Sequence, residues 1–269
     1  MKSMKAIEEI FDRLCLCVMG RGVYLMYDYK KSKEAVEAIL KSPTKIVEKD
    51  NIPSSDSEFT YENGIKAWVG ALFVDIVDSS KLFQSPNEDT ARIIRSFCSE
   101  IISILKDDGN YREIGIRGDC VYCIYNAPYQ TDLVDIFRHA YRINSFMSML
   151  NKLLAKNGYS AVRAGIGLGC SQDLIIKAGQ NGSGINDKIW IGKAVVDAAH
   201  LSDVANRNGI SPIAMSPVFY NNVIEHLCKE NEKYKSWISA HTSGYYGSVD
   251  YYHCSIIETG FDKWIEENI

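Results

Sequence analysis

Residues 68–80 read Trp68-Val69-Gly70-Ala71-Leu72-Phe73-Val74-Asp75-Ile76-Val77-Asp78-Ser79-Ser80. From Trp68 to Ile76 the run is apolar except for one acid, the pattern of a short central strand covered on both faces. A carboxylate buried there costs several kcal/mol unless a partner is supplied. A helix cap is one role for such an acid, but Asp78, Ser79 and Ser80 already stand where a cap belongs. Asp75 lies before them, inside the apolar run, so a metal ligand is the better reading for it. Asp78 stays open between the two roles.

Strand and helix signals alternate on the C-terminal side of this segment. A helix is expected from Asp89 to Leu105, then strands at Tyr111–Arg117 and Cys120–Tyr125 around Gly118-Asp119. A long helix follows over about Asp132 to Ala155, its apolar stripe running through Leu133, Ile136, Phe137, Ala140, Ile143, Met147, Leu150 and Leu154. Strands are expected at Val162–Leu168, Leu174–Lys177 and Lys188–Ile191, then a helix from Lys193. A strand at Ile210–Met215, a helix at Pro217–Cys228 and a closing hairpin of Trp237–Thr242 with Val249–Ile257 complete the chain. The order β-α-β-β-α-β is the ferredoxin-like split βαβ unit, an α+β fold with additions at its C-terminal end.

On the N-terminal side, Lys5 to about Val23 and Glu34–Leu40 read as helices, and Asp50–Ser57 as a polar surface linker. The expected organisation is therefore a helical extension and linker over 1–65, a catalytic domain over 66–258 and a tail over 259–269.

The 269 residues are 46% hydrophobic and 24% charged, an ordinary globular mix, and the formal net charge is −4. Such a charge argues against a dedicated nucleic-acid binder. No run approaches a bilayer span and no secretory layout opens the chain, so a cytoplasmic protein without membrane contact is expected. The first helix carries Glu8, Glu9 and Asp12, too acidic a face for anionic lipid. Of eight cysteines only Cys120 and Cys123 form a C-x-x-C, with no second pair for zinc; reduced, mostly buried thiols are expected.

A second acid belongs to Glu113-Ile114-Gly115-Ile116-Arg117-Gly118-Asp119-Cys120. Strand alternation places Gly115, Arg117 and Asp119 on one face. With this hairpin beside the first strand, Asp119 stands next to Asp75, and two such carboxylates repel unless a cation lies between them. Hard divalent ions suit an all-oxygen site that keeps room for phosphate, and two ions held by paired acids suit attack on phosphorus.

The Asp75 strand, the Gly118-Asp119 hairpin, Val162-Arg163-Ala164-Gly165-Ile166-Gly167-Leu168-Gly169, and Ile189-Trp190-Ile191-Gly192-Lys193-Ala194-Val195 together resemble class III nucleotidyl cyclases, in this order, over about 66–257. The resemblance implies a palm-like catalytic domain working as a homodimer, with sites at the interface. It implies two divalent ions, Mn²⁺ or Mg²⁺, on Asp75, Asp119 and the Ile76 carbonyl. It also implies a triphosphate held by the loop Val77, Asp78, Ser79 and Ser80, whose helix-start amides favour phosphate.

The purine-reading pair of that family falls on Gly115 and Ile189 and is missing here. Arg117, on the face of Asp119, offers a forked donor to a carbonyl-rich base. The family's transition-state Asn and Arg fall on Val196 and His200; His200 stays open between a protonated substitute and an ordinary surface histidine, Lys193, Arg117 and Lys177 are the other candidate cations, and Lys193 and Asp197 sit on the adjoining part of that face. Tyr61 is a candidate stacking residue for the base. Tyr245, Tyr246, Tyr251 and Tyr252 are expected to pack on the closing hairpin.

The build is similar to the stand-alone pyrimidine cyclases of bacterial antiphage (Pycsar) systems. That similarity implies synthesis of cUMP, with cCMP as the other product, acting on a separate effector. Two other readings are an adenylate cyclase with an atypical base pocket and a non-catalytic nucleotide-binding module.

Overall fold

A computed structural model of the chain describes residues 27–107, 109–242 and 248–269. The first expected helix and Tyr245 and Tyr246 lie outside the described residues, as do Cys15 and Cys17. Two compact units divide the chain, residues 1–43 and 44–269. In the first, helix α1 (Tyr29–Lys41) begins at Asp28, whose side chain accepts from the Lys30 and Lys31 amides.

The second unit opens with β1 (Lys45–Glu48), an edge strand that the sequence pattern did not announce; it pairs in parallel with β2 (Asn63–Ile76). The polar segment 50–57 is not a free surface linker. Ile52 is buried, its N–H donates to Asn126 Oδ1 at 2.7 Å, and its carbonyl accepts from Arg112 Nε at 3.1 Å. One apolar side chain seated on the sheet outweighs a polar neighbourhood in deciding where the backbone runs.

After β2 come a short helix α2 (Ser79–Phe83) and α3 (Glu88–Leu105), then β3 (Tyr111–Arg117) and β4 (Cys120–Asn126). Helix α4 (Gln130–Lys156) leads into β5 (Ala164–Gly179), β6 (Asn186–Ile191) and α5 (Lys193–Val204). β7 (Ile213–Met215), α6 (Pro217–Leu227), β8 (Ile238–His241), β9 (Tyr251–Cys254) and α7 (Thr259–Asn268) finish the chain. The two strands expected at 162–168 and 174–177 are one continuous β5, because β2 pairs with it without a break from Gly64↔Ile176 to Ile76↔Ala164. The closing strands do form a hairpin, β8 antiparallel to β9.

Among the described residues nine strands make one sheet, with the path β3-β4-β2-β5-β7-β9-β8 and with β1 and β6 paired to β2 and β5. The run β2-α3-β3-β4-α4-β5 is the βαββαβ unit, and its strands lie in the ferredoxin-like order. Helices α3, α4 and α6 cover one face, burying Phe97, Ile101, Ile136, Phe137 and Phe219 against Leu72, Val74, Ile166 and Leu168. On the other face lies α5, over a smaller cluster built from Ala67, Val69, Ala71 and Ile175.

The seating of α5 depends on the glycines of β5. A Cβ at Gly167 would lie 2.0 Å from the Ala198 carbonyl oxygen; at Gly165 and Gly169 it would lie 2.2 and 2.3 Å from those of Ser202 and Ala194. Alternate glycines on the strand and small residues four apart on the helix let two backbones touch. At the N-terminus of α5 the Ala194 amide donates to Ser171 Oγ at 2.7 Å, and Ser171 donates in turn to Asp173, which lies fully buried beneath Gly192.

Candidate active site

Asp75 sits one residue from the end of β2, directly opposite Cys120 of β4 and Gly165 of β5. Asp119 precedes Cys120 in the two-residue turn between β3 and β4, where Gly118 supplies a left-handed φ of +62°. Strand pairing thus brings the two sequence-predicted acids side by side. Burial pushes the Asp75 carboxyl above its ordinary range; a hydrogen bond from Arg207 opposes that, and the neighbouring Asp119 and Asp203 add to it. The same three acids, together with burial, hold the Cys120 thiol up at about 12.

Arg207 and Asp203 were not legible as site residues in the sequence. Arg207 lies in the loop after α5, and one of its terminal nitrogens donates to Asp75 Oδ2 at 2.8 Å and to the Ile76 carbonyl at 3.4 Å. Its other terminal nitrogen donates to the Ser202 and Ala205 carbonyls at 2.9 and 3.1 Å.

The loop after β2 turns sharply at Asp78, which has left-handed φ 58° and ψ 32° and starts α2 without a side-chain cap. Asp78 faces Lys81 at 3.1 Å and Arg163 at 3.9 Å, and the Lys81 contact draws its carboxyl below the usual range. The Val77 amide is not available to a triphosphate, because it donates to the Arg163 carbonyl at 2.8 Å. Ser79 and Ser80 hold first-turn positions, whose amides a helix leaves without internal partners. A cavity of about 420 Å³ opens here, with Ile76, Val77, Asp78, Lys81 and Arg163 in its wall. Lys81 and Arg163 are cations that sequence reasoning passed over.

Gly115 lies opposite Tyr122 in the β3–β4 ladder, and the Tyr122 ring covers it; a Cβ at 115 would sit 2.4 Å from the ring's Cζ and hydroxyl. Phe73 stacks on that ring at 5.2 Å. The Tyr122 hydroxyl donates to Glu113 at 2.7 Å and receives Arg117, while Trp190 Nε1 donates to the other Glu113 oxygen at 2.9 Å. Burial and Glu113 raise the phenol to about 12. Arg117 therefore faces the same side as Gly115 and Tyr122.

Other expected site residues stand apart from the acids within one chain. Helix α5 runs with its C-terminus toward Gly165, opposite Asp75, and its N-terminus near Gly169, roughly 13 Å further along β5. Lys193 is at that far end. Asp197 and His200 line a separate cavity of about 270 Å³ with Ser216, His241, Asp250 and Tyr251. Burial raises the Asp197 carboxyl, against the pull of Lys193 and His200. Val196, in the family's Asn position, is 64% exposed. Tyr61 precedes the start of β2, roughly 40 Å along that strand from Asp75, and lies under Lys177 Nζ at 5.6 Å. Tyr252 stacks flat on Tyr220 at 3.5 Å, a packing role.

A divalent ion is a demanding guest, and the residues present fit one. Among the described residues no group of three or more His, Cys, Asp or Glu side chains is arranged for a metal. Magnesium-type sites commonly use one or two carboxylates and leave the rest to water and phosphate, which matches Asp75, Asp119 and the Ile76 carbonyl. The Arg207 guanidinium, resting on Asp75 and Ile76 together, is a stand-in cation on two of these three groups.

No protein-family model matches this sequence. The chain is 38% identical over 270 residues to a uridylate cyclase of Treponema porcinum, spanning all of this chain and 91% of that one. It is 27% identical over 259 residues to a uridylate cyclase of Gulbenkiania mobilis, across 92% and 99% of the two chains. In fold it is similar to the adenylyl cyclase CyaB from P. aeruginosa, with TM-score 0.55 and 18% identity, over 71% of this chain and 95% of that one. The guanylyl cyclase Cya2 gives TM-score 0.56 at 13% identity, over 73% and 95%. With a sheet that sets Asp75 opposite Cys120, next to Asp119, and a relative 38% identical along its whole length, the chain belongs to the uridylate cyclase family.

Proposed function

We propose that this nucleotidyl cyclase converts UTP to 3′,5′-cyclic UMP and pyrophosphate. The observation that carries the choice of base is the Tyr122 ring lying on Gly115. At the position where a purine-reading lysine would stand there is no side chain, and an aromatic ring fills the space above it. A pocket shortened in this way favours a one-ring base. Arg117 beside it donates only, which suits the O4 acceptor of uracil and opposes the amino group of cytosine. The two relatives named uridylate cyclase support the same reading.

In the reaction the ribose 3′-oxygen bonds to the α-phosphorus, the α–β bridging bond breaks, pyrophosphate leaves and the 3′-hydroxyl proton is released. Bound at Asp75, Asp119 and the Ile76 carbonyl, divalent ions would lower the 3′-hydroxyl pKa and neutralise charge on the leaving group. The chain's own contribution is to hold a dense negative charge: Lys81 and Arg163 beside the 420 Å³ cavity, and the first-turn amides of Ser79 and Ser80. Lys193 lies at the far end of α5, and Asp197 and His200 face a separate cavity, so none of them meets the same phosphate in one chain. A homodimer, in which α5 of one copy faces the acids of the other, resolves that separation. We place the enzyme in the cytoplasm and its product as a second messenger for a separate effector in antiphage defence, on the resemblance to Pycsar cyclases.

Incubation with each of the four nucleoside triphosphates and Mn²⁺, with the cyclic product identified by mass spectrometry, tests this. cUMP as the dominant product is expected. Dominant cAMP or cGMP would overturn the pyrimidine assignment, and dominant cCMP the role given to Arg117.

A further inference from the structure

Asp75 is only partly open to solvent, its side chain 16% exposed, and needs a cation beside it; the chain supplies one of its own. Arg207, 23% exposed, places a single nitrogen on both Asp75 Oδ2 and the Ile76 carbonyl. These are a carboxylate and a carbonyl converging on one positive group.

We infer that Arg207 is an internal counter-cation that occupies the Asp75–Ile76 seat until a divalent ion replaces it, and so sets how tightly this enzyme takes up metal. The inference rests on Asp75 and Ile76 being metal ligands, as in the function proposed above. Two positive groups cannot share one carboxylate oxygen and one carbonyl at these distances without strong repulsion. Metal uptake therefore requires the guanidinium to swing off. The backbone around it is irregular: Asn206, Asn208 and Gly209 all have left-handed φ, at 58°, 50° and 83°. Its other terminal nitrogen grips the Ser202 and Ala205 carbonyls, so the exchange also loosens a tie on the C-terminus of α5.

Occupancy by Arg207 lowers the apparent metal affinity in proportion to the fraction of molecules in which the seat is free. Mn²⁺ binding to the nucleotide-free protein, read by electron paramagnetic resonance, tests this on wild type, Arg207→Gln, Arg207→Lys and Asp75→Asn. Arg207→Gln is expected to bind Mn²⁺ roughly tenfold more tightly than wild type, Arg207→Lys in between, and Asp75→Asn to lose binding. Thermal unfolding read alongside should show Arg207→Gln less stable than wild type without metal and rescued by Mn²⁺. Unchanged or weaker Mn²⁺ binding in Arg207→Gln, with Asp75→Asn still defective, would overturn the exchange while leaving the metal site standing. Mn²⁺ binding that survives in Asp75→Asn would overturn the metal site itself, and the exchange with it.

Discussion

The Tyr122 ring covers the backbone of Gly115 so closely that any Cβ there would lie 2.4 Å from the ring. The glycine is a consequence of the ring, and the ring is held by Phe73 beneath and Glu113 and Arg117 at its hydroxyl. In the function proposed here, base size is set by this side chain on the neighbouring strand.

Tyr122→Ala removes that ring and should raise the share of purine cyclic product at least about tenfold relative to cUMP. Tyr122→Phe keeps the ring and should keep the preference for a pyrimidine. Competition between UTP and ATP, followed by chromatography of the products, checks both. A Tyr122→Ala enzyme as selective as wild type would show that the ring does not limit the pocket.

Asp75→Asn and Asp119→Ala should each lower the rate of cyclisation by roughly a hundredfold or more while the circular dichroism spectrum stays that of wild type. The asparagine leaves an acceptor for Arg207, so stability is spared. Near-normal turnover in either variant would mean that the acid pair does not hold the ions.

Gly167→Ala drives a methyl into the Ala198 carbonyl of α5. Overpacking backbone against backbone costs about 1–3 kcal/mol or more, which for a unit of this size lowers the melting temperature by roughly 5–10 °C. Differential scanning calorimetry reads it directly; an unshifted transition would mean that α5 can lift off the sheet at little cost.

Asp173 is fully buried, with one oxygen lacking a hydrogen-bond partner, and burial raises its carboxyl above the usual value of 3.8. A raised acid binds its proton more tightly in the folded state. Its stabilising contribution is complete below the unfolded value and fades as pH rises through the folded one. Asp173→Asn should therefore gain stability relative to wild type as pH rises above the ordinary carboxylate range. A difference in melting temperature that does not change with pH would contradict this.

Burial holds the thiols of Cys120, Cys170 and Cys254 at about 12, whereas Cys228 is half-buried. At pH 8 only about one in ten thousand of the raised groups is thiolate. A brief iodoacetamide pulse on the native protein, read by peptide mass spectrometry, should label Cys228 and spare the other three. Labelling of Cys120 as fast as Cys228 would place it in the open.

The secondary elements were legible wherever the pattern was local. The apolar run around Asp75, the stripe of α4 and the two-residue turn at Gly118-Asp119 each declare themselves within a few residues. Reading failed where the deciding contact is distant. Residues 50–57 look like a linker until Ile52 meets Asn126 and Arg112, and 45–48 look like nothing until they lie beside β2. The Val77 amide looked free for phosphate because its acceptor, the Arg163 carbonyl, arrives on another strand's approach.

By itself the sequence determined the βαββαβ order, one acid near the end of β2 and another in the turn before β4, and the bareness of position 115, because strand period, turn residues and missing side chains are properties of short stretches. Only the folded chain decided that Tyr122 fills the space over Gly115 and that Arg207, separated by 132 positions, rests on Asp75. Those partners depend on ladder register and on the path of the loop after α5, and neither is written in any local pattern.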